Sequence, residues 1–155
     1  MKILALAITA ALILVSGVSL AAEPKPEPER ASFDVTVIDA KKTPGEIDPK
    51  LEHLKDVLER SFKGYKSFRQ VNRSKFSVVQ GAAHTMTLVG SQELKVSLSP
   101  GGAKGFLKVS LVSGDLKTTV DVKNGGLFFQ AVRGPQGAAL VIAIRATRLA
   151  PDRAR

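Results

Sequence analysis

Short runs of alternating apolar and polar residues between positions 76 and 144 constrain the fold of this chain more than any other feature. Leu94, Val96 and Leu98 form one such run, with polar residues between them. A period of two places alternate side chains on opposite faces of a β-strand. Turn sequences follow the runs at intervals of about eight to twelve residues, a spacing typical of all-β domains.

The alternation and the turns together predict eight strands. The predicted strands are residues 33–38, 76–79, 84–89, 93–98, 106–112, 116–122, 127–132 and 138–144. Asn124-Gly125, between the predicted strands 116–122 and 127–132, is the strongest hairpin turn signal of the chain, because both residues tolerate positive φ. We expect a mainly β domain built as an antiparallel meander, packed as a sandwich or as a partly closed barrel.

One amphipathic helix is predicted over residues 48–63. Asp48 is placed to cap its N-terminus, and Pro49 suits the first helical position. Its apolar stripe consists of Leu51, Leu54, Leu58 and Phe62. The opposite side is charged, so the helix should lie flat on an end or a face of the β core.

The first twenty-two residues have the organisation of a secretory signal peptide. Lys2 precedes an apolar stretch, residues 3–15, that only Thr9 interrupts, and Ser19 and Ala21 fit a signal-peptidase site. We predict cleavage after Ala21 and a periplasmic or secreted protein without membrane insertion. The alternative is a retained anchor, because an apolar segment of about twenty residues is long enough to cross a bilayer.

These features divide the chain into four parts. The parts are a signal peptide (1–21), a Pro/Glu-rich linker (22–30), a β-rich domain (31–149) and a basic C-terminal tail (150–155). The chain has no cysteine. This excludes disulfides, thiol nucleophiles, thiolate metal sites and lipid attachment through cysteine.

Few residues suit catalysis. The chain has two histidines, His53 on the charged side of the helix and His84 at the start of a strand. His84 has no Asp or Glu at the spacing of a metal site, and the chain has no Gly-x-Ser-x-Gly motif of a serine nucleophile. The glycine-rich stretch at 101–105 lacks the spacing of a phosphate-binding loop and precedes a strand. We therefore predict no catalytic residue, no metal site and no cofactor. The enzymatic alternative is a hydrolase that uses carboxylates such as Asp115 and Asp121.

Positive charge is concentrated in the second part of the chain. Residues 1–60 hold eight Lys and Arg against ten Asp and Glu, whereas residues 61–155 hold fifteen against four. Such a field favours anionic partners. The candidate binding residues are Lys95, Lys108, Lys117, Lys123, Arg69, Arg73 and Lys75. The alternative is that these charges only keep strand edges from pairing with other chains.

Two stretches resemble small exported β-rich proteins of Gram-negative bacteria that have no assigned function. One is FKGYKSF at 62–68, followed by the meander; the other combines KTTV at 117–120, NGG at 124–126 and LVIAI at 140–144. The second stretch is also similar to the closing strands of outer-membrane secretins. That similarity covers about thirty residues of a chain too short for a secretin channel, and it implies no function.

The sequence as a whole predicts an exported, non-enzymatic binding or structural module of the bacterial cell envelope, for example an accessory of a trans-envelope assembly. Its expected partner is an acidic envelope polymer or an envelope protein, and not nucleic acid. The hydrolase acting on an anionic envelope polymer is the alternative.

Overall fold

The computed structural model describes residues 21–151, and its strands extend from Arg30 to Arg148. The strands are β1 (Arg30–Lys41), β2 (Ser67–Val79), β3 (Ala83–Val89), β4 (Gln92–Ser99), β5 (Phe106–Ser113), β6 (Leu116–Lys123), β7 (Leu127–Arg133) and β8 (Ala139–Arg148). A 3-10 turn, Pro49–Leu54, continues into helix α1 (Lys55–Ser61), and a second 3-10 turn, Pro135–Gly137, precedes β8. The prediction of a mainly β fold with one helix is confirmed.

The eight strands form two antiparallel sheets. Sheet A has the order β2-β1-β8-β7, and sheet B has the order β3-β4-β5-β6. Hydrogen-bonded neighbours are consecutive in the chain, except that the last strand, β8, pairs with the first, β1. Because β2 does not pair with β3, nor β6 with β7, the described strands form a sandwich and not a closed barrel.

Apolar side chains from the facing sides of both sheets fill the space between them. Strands β1 and β8 are the two central strands of sheet A. Their inward residues include Phe33 and Val35 on β1 and Ile142 and Ile144 on β8, all nearly inaccessible to water. The alternating apolar residues of β4 and β5 face them and are buried, as the sequence predicts. Burying a side chain of this size contributes about 1.5 to 3 kcal/mol.

The second face of sheet A is also buried over half its length, because the helical segment lies on it. Leu51, Leu54 and Leu58 pack there against a cluster that includes Phe68 and Val141. Strand β8 is therefore covered on both sides, which explains why residues 140–144 are continuously apolar. The expectation that the helix lies flat on a face of the core is met on this sheet.

The helical segment differs from the predicted continuous α-helix at 48–63. Its first six residues, Pro49–Leu54, have the tighter 3-10 form, and only Lys55–Ser61 is α-helical. The predicted cap is present: Asp48 Oδ1 accepts a hydrogen bond of 3.0 Å from the Lys50 amide. Its other oxygen accepts one of 3.2 Å from the Gln70 amide on β2, so this cap also joins the helix to the sheet.

Strand β2 is longer than predicted, because it begins at residue 67 and not at 76. Val37 of β1 pairs with Asn72, whereas the next residue, Ile38, pairs with Gln70. Val71 is thus an extra residue, a β-bulge that reverses which side chains face the core. This bulge interrupts the period of two, so alternation alone does not show the first half of the strand.

The predicted hairpin at Asn124-Gly125 is wrong in its pairing, although a turn is present. Gly125 has a φ of 77°, as such turns require. The strand before this turn, β6, belongs to sheet B, and the strand after it, β7, belongs to sheet A. The turn therefore carries the chain from one sheet to the other. Backbone bonds from Asn124 to Gly105 and from Gly125 to Ala146 hold it there.

Candidate functional site

Four of the predicted binding residues lie on the solvent-facing side of sheet B. Lys95 on β4 and Lys117 on β6 both pair with Val112 of the strand between them. Lys108 on β5 and Lys123 on β6 project from the same side, because the alternate residues of β5 are buried and those of β6 are half-buried or, at Val122, buried. We call this surface, defined by the four lysines, the lysine face.

The lysine face is large enough to contact several units of a polymer. Adjacent strands are about 4.8 Å apart, so the Cα atoms of Lys95 and Lys117 lie about 10 Å from each other. Lys117 and Lys123 are six residues apart on one strand, which corresponds to about 20 Å. The four ammonium groups therefore surround an area of the dimensions of a short oligomer, and not a single small ion.

Hydroxyl groups occupy the middle of this area. Ser110 Oγ lies 3.1 Å from Ser99 Oγ and 3.0 Å from Thr119 Oγ1, so the three hydroxyls form a continuous hydrogen-bonded row across three strands. This row was not predicted from the sequence. Ser110 and Thr119 occupy outward positions of the predicted strands and Ser99 directly follows one, but the alignment of the three depends on the register between strands.

Within the described residues, the lysines of the lysine face make no close ion pair. In residues 21–151, no carboxylate oxygen lies within 4.0 Å of any of its four ammonium groups. Asp121 is directly opposite Lys108 in the pairing of β5 with β6, but without close contact. The face therefore presents cations and hydroxyl groups together, a combination that suits hydroxylated anions.

The other three predicted binding residues lie on β2 of sheet A, so the seven residues do not form one surface. Arg73 makes two hydrogen bonds to the Asp34 carboxylate, of 3.0 and 2.7 Å. Lys75 Nζ lies 3.8 Å from the same carboxylate. Arg69 lies 3.7 Å from Asp39. These cations serve first as partners of β1 aspartates, which the sequence could not show because the partners come from a distant strand.

The histidines have different surroundings. His53 is exposed on the helical segment. His84 of β3 stacks on the ring of Phe76 of β2, with 4.0 Å between ring centroids, and so connects the two sheets at edge strands that do not pair through their backbones. In the part of the chain that the structure describes, no three His, Cys, Asp or Glu side chains are grouped closely enough to hold a metal ion.

The two carboxylates of the enzymatic alternative are far apart. Asp115 lies in the turn before β6, beside a cleft of about 530 Å³ that Arg133 also lines. Asp121 projects from β6, six residues further on, or about 20 Å along the strand. Paired-acid glycosidases need carboxyl groups about 5 to 9.5 Å apart. The geometry of the chain therefore gives no support to this pair.

The glycine-rich stretch at 101–105 connects β4 to β5, as a hairpin loop does. Gly102 is so close to the backbone that a Cβ atom there would lie 2.9 Å from the Phe106 carbonyl oxygen. This loop is followed by a strand and not by a helix, so it has no helix N-terminus with which to bind phosphate.

No protein-family model, curated protein or solved structure matches this chain. Within residues 21–151, no helix has the length and apolar character that a membrane span requires.

Proposed function

We propose that this protein is an exported, non-enzymatic binding module of the bacterial cell envelope whose ligand is an acidic polymer. The observation that supports the proposal is the lysine face, where four lysines surround a row of hydroxyls and, within residues 21–151, have no carboxylate oxygen within 4.0 Å. The ammonium groups attract anionic groups along a polymer, and the hydroxyls exchange hydrogen bonds with its polar groups.

The proposal is tested by charge reversal on the lysine face. In the variant Lys95→Glu, Lys108→Glu and Lys117→Glu, we expect binding to immobilised polygalacturonate to weaken by at least about tenfold. The matched control is Lys50→Glu, Lys63→Glu and Lys66→Glu, which changes the net charge equally but lies near the helix. Equal weakening in both variants would mean that net charge, and not this surface, controls binding.

Salt gives a second test of the same surface. Between about 0.1 M and 1 M ionic strength the Debye length falls from about 10 Å to 3 Å. Binding through exposed ammonium groups should therefore weaken steeply over this range. Capture that survives both high salt and the triple reversal would contradict the proposal, and would leave the lysines with the role of protecting strand edges.

The absence of catalysis is tested with the same polymers. We expect no new reducing ends when the protein is incubated with pooled acidic polysaccharides. Turnover that Asp115→Asn abolishes would overturn the binding-module proposal in favour of the hydrolase.

Export is tested by the mature N-terminus. Residues 1–20 of the predicted signal peptide lie outside the described residues. Mass spectrometry of the periplasmic or released fraction should find a chain that begins at Ala22. A chain that retains Met1 in the membrane fraction would indicate an anchored protein.

A further inference from the structure

The half of sheet A that the helix leaves uncovered has a second polar surface. Its six residues form two rows across β2, β1 and β8: Lys75, Asp34 and Arg145 in one row, and Ser77, Ser32 and Thr147 in the next. We call these six residues the sheet A patch. They line a depression of about 400 Å³.

The central carboxylate of the sheet A patch is ionised. Arg73 donates two hydrogen bonds to Asp34, and this bonding holds the pKa of the carboxyl below its usual value. An ionised carboxylate only accepts hydrogen bonds. With 28% of its side chain exposed, Asp34 still offers acceptor capacity to a ligand.

Positive charge exceeds negative charge around this carboxylate. Arg73, Lys75 and Arg145 surround the single carboxylate of Asp34, and all three lower the pKa of that group. Among residues 21–151, no carboxylate oxygen lies within 4.0 Å of the Arg145 guanidinium, whose hydrogen bond is a long one of 3.5 Å to the Gly125 carbonyl. Arg145 is therefore available to a ligand.

We propose that the sheet A patch binds an acidic sugar residue. The acidic group of the sugar lies between Lys75 and Arg145, and sugar hydroxyls donate hydrogen bonds to the Asp34 carboxylate. The hydroxyls of Ser32, Ser77 and Thr147 complete the contacts along the next row. This site goes beyond the lysine face, because it lies on the opposite side of the sandwich.

The charge pattern selects this ligand class over two simpler ones. A plain anion gains from the cations but is repelled by the carboxylate between them. An ammonium group gains from the carboxylate but meets three cations. A neutral hydroxyl donor next to an acidic group satisfies both kinds of charge, and an acidic sugar has both groups on one ring. The Cα atoms of Lys75 and Arg145 are two strand spacings apart, about 10 Å, so their long side chains approach such a ring from both sides.

The site is tested with galacturonate trisaccharide, the neutral sugar maltotriose and tricarballylate, which has three carboxylates but no hydroxyl. The full chain, expressed with its own leader and purified as it accumulates, is titrated with each compound by calorimetry and by amide NMR. We expect the acidic trisaccharide to bind more tightly than both others and to shift the amide signals of Ser32, Ser77 and Thr147. Equal binding of tricarballylate would overturn the proposal.

Variants of Arg145 and Asp34, with Lys104→Gln as the control, test the contacts of this site. Arg145→Gln should weaken binding of the trisaccharide about tenfold, the loss expected for one charge-assisted hydrogen bond, whereas Lys104→Gln in the loop before β5 should not. Asp34→Asn should reduce the preference for the trisaccharide over tricarballylate, because a plain anion gains when the carboxylate is removed. An unchanged or larger preference, or no effect of Arg145→Gln, would refute the site.

The triple reversal on the lysine face distinguishes the two proposals. It should leave the NMR shifts at Ser32, Ser77 and Thr147 unchanged while it weakens capture by immobilised polygalacturonate at least about tenfold. Thermal unfolding of each variant confirms that it is folded. Loss of the shifts in this folded variant would show that the trisaccharide binds at the lysine face alone.

Discussion

Asp34 on β1 and Arg73 on β2 are diagonal neighbours on the outer side of sheet A, where Nε and Nη2 of the arginine donate hydrogen bonds of 3.0 and 2.7 Å to the two carboxylate oxygens. The side chains are partly exposed, 28% for the aspartate and 41% for the arginine. Such a pair contributes about 0.2 to 1 kcal/mol to the free energy of unfolding. It joins the edge strand to its neighbour just beyond the bulge at Val71.

The first prediction concerns the pH dependence of stability. The hydrogen bond from Arg73 lowers the pKa of Asp34 in the folded protein. A lowered pKa means that the stabilisation is complete above the unfolded value of about 4 and is lost as the pH falls through the folded value. We therefore expect Asp34→Asn to be less stable than the parent protein near neutral pH.

Urea unfolding of both proteins at several pH values measures this effect. The stability difference between them should decrease as the pH falls below about 4, the pKa of the unfolded aspartate, and on through the lowered pKa of Asp34 in the folded protein. A difference that is the same at neutral and at strongly acidic pH would show that the ion pair is not its cause.

The second prediction concerns the cap of the helical segment. Asp48→Ala removes the acceptors of the Lys50 and Gln70 amides together, and loss of an N-cap costs about 0.5 to 2 kcal/mol. Asp48→Ser retains an acceptor for the first amide only and should be intermediate in stability. Thermal or urea unfolding ranks the three proteins, and equal stability of the serine and alanine variants would argue against the cap.

The third prediction concerns the crossing from sheet B to sheet A. A Cβ atom on Gly126 would lie 2.7 Å from the Lys123 carbonyl oxygen and 3.3 Å from Val122 Cγ1. Gly126→Ala should therefore destabilise the protein by about 1 to 3 kcal/mol, as overpacking does. Gly64→Ala is the matched control, because a Cβ there would contact nothing within 4 Å. Similar losses in both variants would contradict this explanation.

The elements that the sequence predicts well are those that depend on local patterns. The turn at Gly114, the alternation along β4 and β5 and the cap at Asp48 each involve residues close in the chain. In contrast, the bulge at Val71 depends on how β2 pairs with β1, and no local pattern records that pairing. The same holds for the turn at 124–126. Its residues favour a tight turn, but they do not determine whether the next strand pairs in the same sheet or in the other one.

The candidate sites follow the same division. The outward direction of Lys95 and Lys117 follows from alternation, and the structure places both on one face. The partners of Arg73 and Arg145 could not be predicted, because Asp34 precedes Arg73 by 39 residues and meets it only through the pairing of the strands. Composition therefore shows that positive charge is plentiful, but only the sheet register shows which cations are free.

The fourth prediction concerns the bulge in β2. Because Val71 is an extra residue, Phe68 faces the helix while Phe76 stacks on Phe33 of β1 within reach of the sandwich core. Deletion of Val71 restores strict alternation, which moves one half of the strand to the wrong face. We expect a loss of more than about 4 kcal/mol in the free energy of unfolding, or failure to fold.

The matched variant Val71→Ala keeps the bulge and shortens only one partly buried side chain. It should cost about 1 kcal/mol, an ordinary value for a point substitution. Urea unfolding followed by circular dichroism compares the two variants. If the deletion were no more harmful than Val71→Ala, β2 would keep a stable pairing without the bulge. The bulge would then not be the reason that Phe68 and Phe76 lie on opposite faces of the sheet.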